Sequence, residues 1–274
     1  MIAGMAVKRV ARRRSGEDIP VELRRLWGLP QSSTVGRPAS LDVARVVHAA
    51  VDIADRKGIA GVTLPAVAKA LGCTTMALYR HIGSKDELLV LMQDAAIGAP
   101  PPISTPEEGW RDGLRQWAQA ERGVYQRRPW LSRLAISGPP SGPSQIGWID
   151  TALQILRGTG LDWGEKVGVL LLVSGHVRNA AVLADDLERS RRASGMGKAE
   201  AERRYGRSLA RLVDPNRFPE AARLFASGLF EAPPPSRRRT RSDPDFTFGL
   251  ERILDGIEVA IARRRPPSPV RAHS

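Results

Sequence analysis

The chain has little of the chemistry on which disulfide-linked or metal-binding proteins depend. Its 274 residues include one cysteine, Cys73, and four histidines. One thiol cannot close an internal disulfide, and it cannot supply a cysteine-rich zinc site. The histidines are scattered and form no ligand pattern: His48, His81, His176 and His273. The sequence therefore predicts a protein with no disulfide, no bound metal and no other cofactor.

Long apolar runs and targeting segments are also missing. The longest strongly apolar stretch, residues 167–173, has seven residues, whereas a membrane-spanning helix needs about 20. The N-terminal segment contains Lys8, Arg9 and the arginines 12–14, and no apolar core of a signal peptide follows them. We therefore expect a soluble, cytoplasmic protein with no membrane partner.

The motifs of common enzymes are absent as well. The sequence contains no G-x-G-x-x-G loop, no G-K-[ST] phosphate loop and no H-E-x-x-H zinc motif. Two adjacent acidic pairs, Glu107-Glu108 and Asp185-Asp186, would point in different directions on a helix. We therefore expect that the protein is not an enzyme, and an enzyme is the least favoured alternative.

Positive charge is present in excess, with a net charge of +13. Residues 1–40 carry eight basic and three acidic side chains, and residues 181–274 carry 19 basic and 13 acidic ones. Such an excess is typical of proteins that bind a polyanion, although arginine-rich surfaces also occur without one. Charge alone leaves non-specific nucleic-acid binding open as an alternative to sequence-specific binding.

The apolar residues recur at helical spacing between clusters of proline. The clearest example follows the i, i+3, i+4, i+7 pattern and comprises Val43, Val46, Val47, Ala50, Ile53 and Ala54. Helix-starting capping boxes occur at 84–87 and 162–165. Sustained alternation of the β type is absent. We predict an all-α protein with about nine or ten helices.

Residues 41–82 predict a helix-turn-helix. A first helix over about 41–57 precedes a helix capped by Thr63, a tight turn at Gly72 and a third helix over about 74–82. In this motif the last helix enters the major groove of DNA, which is about 12 Å wide. Helical spacing turns Leu78 and Ile82 inward and leaves Thr75, Met76 and Tyr79 facing outward.

The segment 50–89 resembles the DNA-binding domain of the tetracycline-repressor (TetR/AcrR) family. Its most specific part is Leu-Tyr-Arg-His-Ile-x-Ser-Lys-x-x-Leu-Leu at residues 78–89. The resemblance implies a sequence-specific transcriptional regulator, a repressor that a small-molecule ligand releases from a palindromic operator. The DNA-contacting residues that it implies are Arg37, Thr63, Thr74, Thr75, Met76, Tyr79, His81 and Lys85.

The resemblance assigns these residues different roles. Thr75 and Met76 would meet base edges, whereas Thr63, Tyr79, His81 and Lys85 would contact phosphates, and Arg37 would lie along the minor groove. For three of these residues a purely structural explanation stays open: Tyr79 could be a packing residue, His81 could cap the C-terminus of its helix, and Lys85 could be a solvated surface residue. At residue 65 the tetracycline repressor has a base-reading arginine, which Pro65 replaces in this chain.

The segment 243–261 is similar to the last helix of tetracycline-repressor-type C-terminal domains, through its Phe-Gly-Leu-Glu-x-Ile-x-x-Gly pattern at 248–256. The resemblance implies a homodimer in which this helix and one near 164–184 form a four-helix interface. The predicted interface residues are Phe246, Gly249, Leu250, Ile253, Gly256 and Ile257. An ordinary core stripe is the alternative for them.

Four residues are candidates for the pocket of a small hydrophobic or aromatic ligand: Trp110, Trp117, Trp130 and His176. Core packing is the alternative for each of them. The predicted organisation is a basic, partly disordered extension at 1–36, a DNA-binding domain at 37–98, a ligand-binding and dimerisation domain at 99–265 and a disordered tail at 266–274. The arginines of 8–14 are either an arm on DNA or a solvated segment.

Overall fold

A computed structural model describes residues 19–29, 42–103, 109–136, 138–231 and 243–264. These residues form eleven α-helices and two 3-10 turns, and none of them lies in a β-strand. The all-α prediction is confirmed. Two of the eleven helices have only six and five residues, so nine are substantial.

The helices run in chain order as α1 (Val21–Leu26), α2 (Val43–Lys57), α3 (Leu64–Leu71), α4 (Thr75–Tyr79), α5 (Lys85–Ile97), α6 (Trp110–Arg127), α7 (Pro143–Ile155), α8 (Trp163–Ser194), α9 (Lys198–Leu212), α10 (Pro219–Ala226) and α11 (Pro244–Arg264). The 3-10 turns are Ile59–Gly61 and Pro129–Arg133. The chain divides into two compact units, residues 1–158 and 159–274. Helices α6 and α7 therefore belong to the same unit as the predicted DNA-binding helices, and the predicted functional limit near residue 98 stays a prediction.

Helix α2 lies at the centre of the first unit. The Asp42 side chain caps its N-terminus by accepting the Arg45 N–H at 2.7 Å, and Gly58 ends it at a positive φ of 71°. Its buried residues pack against α3 and α5, which contribute Val67 and Leu88 to the same core. The helical periodicity in the sequence is the cause of this arrangement, because it places the apolar side chains on one face.

Two of the predicted ligand-binding tryptophans are core residues of the first unit. Trp117 is buried edge-on against Trp148, with ring centroids 5.9 Å apart, and its Nε1–H donates to the Trp148 carbonyl at 3.1 Å. Trp130 is also buried, and its Nε1–H donates to Asp55 Oδ1 at 2.6 Å. Trp110, the first residue of α6, is partly exposed. These contacts favour the core alternative for Trp117 and Trp130.

Helices α8 and α11 form the core of the second unit. His176 of α8 lies against α11: its Nε2 is 2.9 Å from the Phe246 carbonyl, and its ring stacks on the Phe246 ring at 5.0 Å. A Cβ at Gly249 would stand 2.4 Å from His176 Cε1. Glycine at residue 249 therefore allows the histidine to lie on α11, as a partly buried residue with a polar partner.

The first turn of α8 confirms the predicted capping box. Asp162 Oδ1 accepts the Glu165 N–H, and Glu165 Oε2 accepts the Asp162 N–H, both at 2.9 Å. Arg264 at the end of α11 donates to Glu165 Oε1 at 2.6 Å. These bonds lower the pKa of the Glu165 carboxyl below its ordinary value, first through the Asp162 backbone N–H and then through Arg264.

Helix α8 has a large apolar surface that its own unit leaves open. Within the described ranges it is the one helix long and apolar enough to cross a membrane by length and composition, although its longest strongly apolar run has only seven residues. About a fifth of its most apolar window is buried. One such helix is weak evidence for a membrane span, because helices that pack in soluble proteins pass the same test. The absence of a membrane partner stays a prediction.

Candidate nucleic-acid interface

The turn between α3 and α4 has the geometry of a helix-turn-helix. Gly72 ends α3 in the left-handed conformation, at φ 67° and ψ 31°, which side chains adopt only with strain. The Cys73 N–H then donates to the Ala68 carbonyl at 3.0 Å and closes the turn. Helices α3 and α4 pack against each other across this turn. Cys73, the one cysteine of the chain, is partly exposed.

Helix α4 presents one buried and one exposed side, as predicted. Leu78 and Ile82 have no exposed surface. On the other side Met76 is 74% exposed and Tyr79 is 48% exposed, and Thr75 is partly exposed. The helix is shorter than the predicted 74–82, because the chain tightens after residue 79 and the Leu78 carbonyl accepts the N–H groups of both residues 81 and 82.

Three hydroxyl side chains cap the helices of this region. Thr63 Oγ1 accepts the N–H of residue 66 at 3.2 Å, Thr74 Oγ1 accepts that of residue 77 at 3.2 Å, and Ser84 Oγ accepts that of residue 87 at 3.0 Å. A capping hydroxyl accepts through a lone pair, so its own hydrogen stays available for donation. A helix N-terminus also favours a nearby anion. Each exposed threonine can therefore cap its helix and donate to a phosphate at once.

The remaining predicted contacts lie close in sequence to these caps. Lys85 is exposed in the first turn of α5, and His81 is partly exposed in the turn before it. Glu87 does not reach back to the Ser84 N–H as the capping box predicted; it accepts the Gly83 N–H at 2.7 Å. The described ranges do not include Arg37, the arginines of 8–14 or residues 266–274.

Both halves of the chain match models of a single family. Residues 46–92 match the model of bacterial regulatory proteins of the tetR family, and residues 101–261 match that of the tetracyclin repressor-like C-terminal domain. The chain belongs to the TetR family of transcriptional regulators. It is therefore a DNA-binding helix-turn-helix transcriptional repressor, and membership of a non-enzymatic family confirms that it is not an enzyme.

Similar proteins support the TetR assignment along most of the chain. The HTH-type transcriptional repressor DrrR1 of Streptomyces coeruleorubidus is 34% identical over 256 residues, which cover 92% of this chain and 90% of the relative. The class A tetracycline repressor protein from transposon 1721 in Escherichia coli is 28% identical and covers 80% of this chain and 90% of its own. The TetR family protein ActR of Streptomyces coelicolor, solved in complex with (S)-DNPA, has a TM-score of 0.63 and 26% identity, over 81% of this chain and all of that one.

Several polar links join the DNA-binding helices of this TetR protein to the rest of the first unit, and sequence reasoning missed the two that involve aspartates. Asp94, buried near the end of α5, accepts the N–H groups of Ser144 and Gln145 at 3.3 and 3.0 Å and so caps α7. Asp55 of α2 receives the Trp130 donation described above and the Arg128 Nε at 3.3 Å. The sequence signal that could have indicated the first link is Asp94, an acidic residue on the same apolar face of α5 as Leu91.

The predicted dimer stripe of α11 divides between two surfaces. Phe246, Leu250 and Ile257 are buried within the second unit, and Gly249 faces His176, so these four make internal contacts. A side chain that is almost fully buried has no surface left for a partner. Ile253 and Gly256 line an open groove between α8 and α11, with a volume of about 590 Å³, and the buried Ile257 contributes to its wall.

None of the four predicted ligand-binding residues lines this groove. They also do not line the smaller cavity of about 160 Å³ between α9 and α10. The tryptophans belong to the first compact unit and His176 to the second. The ligand site therefore stays a prediction.

Proposed function

We propose that this TetR-family protein acts as a homodimer that reads a palindromic operator with α4 and leaves it when a small molecule binds. One observation carries the proposal. The exposed Met76 and Tyr79 and the partly exposed Thr75 stand on a helix that is anchored by the completely buried Leu78 and, just after its end, by the completely buried Ile82. A helix held in this way offers a fixed set of side chains to the major groove.

The chemistry of α4 and its surroundings supports a division of labour. The Thr75 hydroxyl suits hydrogen bonding to a base edge, and the exposed Met76 suits apolar contact with a thymine methyl group. Thr63, Thr74, Tyr79, His81 and Lys85 are donors suited to phosphate. The first set would set the sequence preference, and the second would set the register and the salt dependence.

The open face of the second unit supports the dimer. The exposed apolar residues of α8 and α11 include Trp163, Val167, Leu171, Leu172, Phe248 and Val259. The groove among them carries Gly168 and Gly256, where an added Cβ would meet nothing within 4 Å. A patch of this kind on a soluble protein marks an interface. A two-fold axis would place a second α4 about 34–36 Å from the first, as a palindrome requires.

Release by a ligand is supported by the relatives. ActR was solved with (S)-DNPA bound, which favours a small-molecule effector for this chain also. Such a ligand shifts the equilibrium only by its differential affinity for the DNA-binding and released states. Trp110 stays a candidate contact, whereas the ring nitrogens of Trp117, Trp130 and His176 already have partners.

Two substitutions test the reading of DNA. In Thr75→Ala we expect a loss of about 1–3 kcal/mol confined to one or two base pairs of the site, measured by titrating the variant on a panel of point-mutated duplexes. In Lys85→Ala we expect a uniform loss on all duplexes and a slope of log affinity against log salt that is shallower by about 0.9. If both variants lose affinity uniformly, Thr75 does not read a base.

A further inference from the structure

Helix α1 lies N-terminal to the residues that match the family models, which begin at residue 46. It is a short helix of six residues and has no buried apolar side chain. It nevertheless packs on α5, the helix that follows the recognition helix. Arg25 holds it to the start of α5, and Trp27 holds it to the segment before α7.

The first contact joins α1 to the start of α5. Arg25 Nη1 donates to both carboxylate oxygens of Glu87 at 2.9 Å. The pair is nearly enclosed, with 14% of the arginine and 8% of the glutamate side chain exposed. Glu87 also accepts the Gly83 N–H at 2.7 Å, and Gly83 follows directly on the buried Ile82 that anchors the recognition helix.

The second contact joins α1 to the start of α7. Trp27 Nε1 donates to the Ser141 carbonyl at 2.8 Å. The N-terminal segment of α7 also contacts α5, because Asp94 of α5 accepts the N–H groups of Ser144 and Gln145. Helices α1, α5 and α7 therefore form a closed set of contacts, in which Trp27 and Asp94 both bind the N-terminal segment of α7.

We propose that α1 is a strut for DNA reading and that Arg25 is a positioning residue, which acts on the recognition helix through Glu87 and Gly83. The inference rests on the proposed function, since it names what holds α4 in its reading orientation. Without Arg25, Glu87 keeps a buried charge with no cation beside it. Such a group draws in water, and the water competes for its bond to the Gly83 N–H.

The enclosed position of the pair separates this role from a direct DNA contact. Only 14% of the arginine side chain is exposed, which leaves little of its surface for a phosphate. Loss of Arg25 should therefore lower the preference for the correct sequence and leave the electrostatic part of binding intact. The salt slope reports the number of phosphate contacts and distinguishes the two cases.

The test compares Arg25→Ala, Glu87→Gln and their double variant with wild-type protein. Fluorescence anisotropy measures the affinity for the palindromic duplex enriched from genomic DNA and for a scrambled duplex of equal length, at several salt concentrations. Arg223→Ala is the matched control, because it also removes one positive charge and breaks an ion pair, with Glu220, that is highly exposed.

We expect each single variant to bind the palindrome about tenfold more weakly and the scrambled duplex unchanged, with the salt slope unchanged. The double variant should be no worse than either single variant, because both changes break the same link. Equal losses on both duplexes would indicate general destabilisation and overturn the proposal. So would a slope shallower by about 0.9, or palindrome binding equal to that of wild-type protein and the control.

Hydrogen exchange of the full-length protein without DNA gives a second readout. In Arg25→Ala, amides around residues 83–87 should exchange faster than in wild-type protein, and in Trp27→Phe those around 141–145 should do so. The second variant removes the N–H donor and reduces the size of a half-exposed ring, which breaks no buried ion pair, so it keeps the test usable if the first folds poorly. Unchanged exchange in both variants overturns the strut. If the wild-type protein binds all duplexes equally, the proposed function is contradicted. The hydrogen-exchange result does not depend on DNA binding and tests the strut separately.

Discussion

The cap of α3 offers a way to separate folding from DNA binding in one side chain. Thr63 Oγ1 accepts the Ala66 N–H at 3.2 Å, and the residue is exposed. Thr63→Ala removes the capping acceptor, for which a loss of about 1 kcal/mol of stability is typical. Thr63→Asp keeps an acceptor, because aspartate is among the best N-cap residues. We therefore expect near wild-type stability in the aspartate variant and lower stability in the alanine variant.

DNA binding should follow the opposite order. The alanine variant loses one neutral donor to phosphate, worth about 0.5–1.5 kcal/mol. The aspartate variant loses the same donor and places a negative charge near a phosphate. At about 4 Å that repulsion lies between roughly 1 kcal/mol in water and 4 kcal/mol near a protein surface. Affinity should therefore fall by about 2–12-fold for alanine and by at least tenfold for aspartate.

Urea unfolding and anisotropy titration on the enriched duplex measure the two quantities for each variant. Ser208→Asp, on an exposed site of α9 in the other unit, makes the same change in net charge and should bind as wild-type protein does. If Thr63→Asp bound DNA with wild-type affinity, the phosphate contact would be refuted. If Thr63→Ala were as stable as wild-type protein, the cap would contribute nothing.

Two further predictions concern the second unit. Leu171, 70% exposed on α8, should lie in the dimer interface. We therefore expect Leu171→Asp to be monomeric in analytical ultracentrifugation and to lose operator affinity, whereas the control Leu212→Asp, on an exposed site of α9, should stay dimeric and bind normally. A dimeric Leu171→Asp variant would contradict the interface. Glu165 has a folded-state pKa below its ordinary value of 4.5, so its contribution to stability is present above about pH 4.5 and is lost as the pH falls through the lowered pKa. Acid unfolding followed by circular dichroism should therefore be less steep below pH 4.5 in Glu165→Gln, and an identical acid limb would show that the carboxylate contributes nothing there.

Local sequence signals predicted most of the DNA-binding helices. The spacing of the apolar residues located α2, and the side chains of Thr63, Ser84 and Asp162 marked helix starts that the structure confirms. Each of these signals involves residues within about four places of one another, so the chain itself carries the information. The reach of Glu87 was misjudged by one residue, because its partner N–H depends on how the turn before α5 is built.

Contacts between distant residues could not be predicted in this way. Arg25 and Glu87 are 62 places apart, and Asp94 and Gln145 are 51 apart. The stripe on α11 is an example of the same limit. Periodicity showed that Phe246 and Ile253 lie on one apolar side, but only packing against α8 separates the buried residue from the one that lines a groove. The tryptophans follow the same rule, since their partners are set by tertiary structure.

The central claim is that a dimer of this protein reads a palindrome with two copies of α4. The most direct measurement is selection of genomic DNA fragments by the purified full-length protein at physiological salt, followed by sequencing. The account predicts one enriched palindrome whose half-sites have centres about 10 base pairs apart, or a multiple of one helical turn. Enrichment of a single half-site would contradict the dimer, and uniform recovery of all fragments would contradict sequence reading by α4.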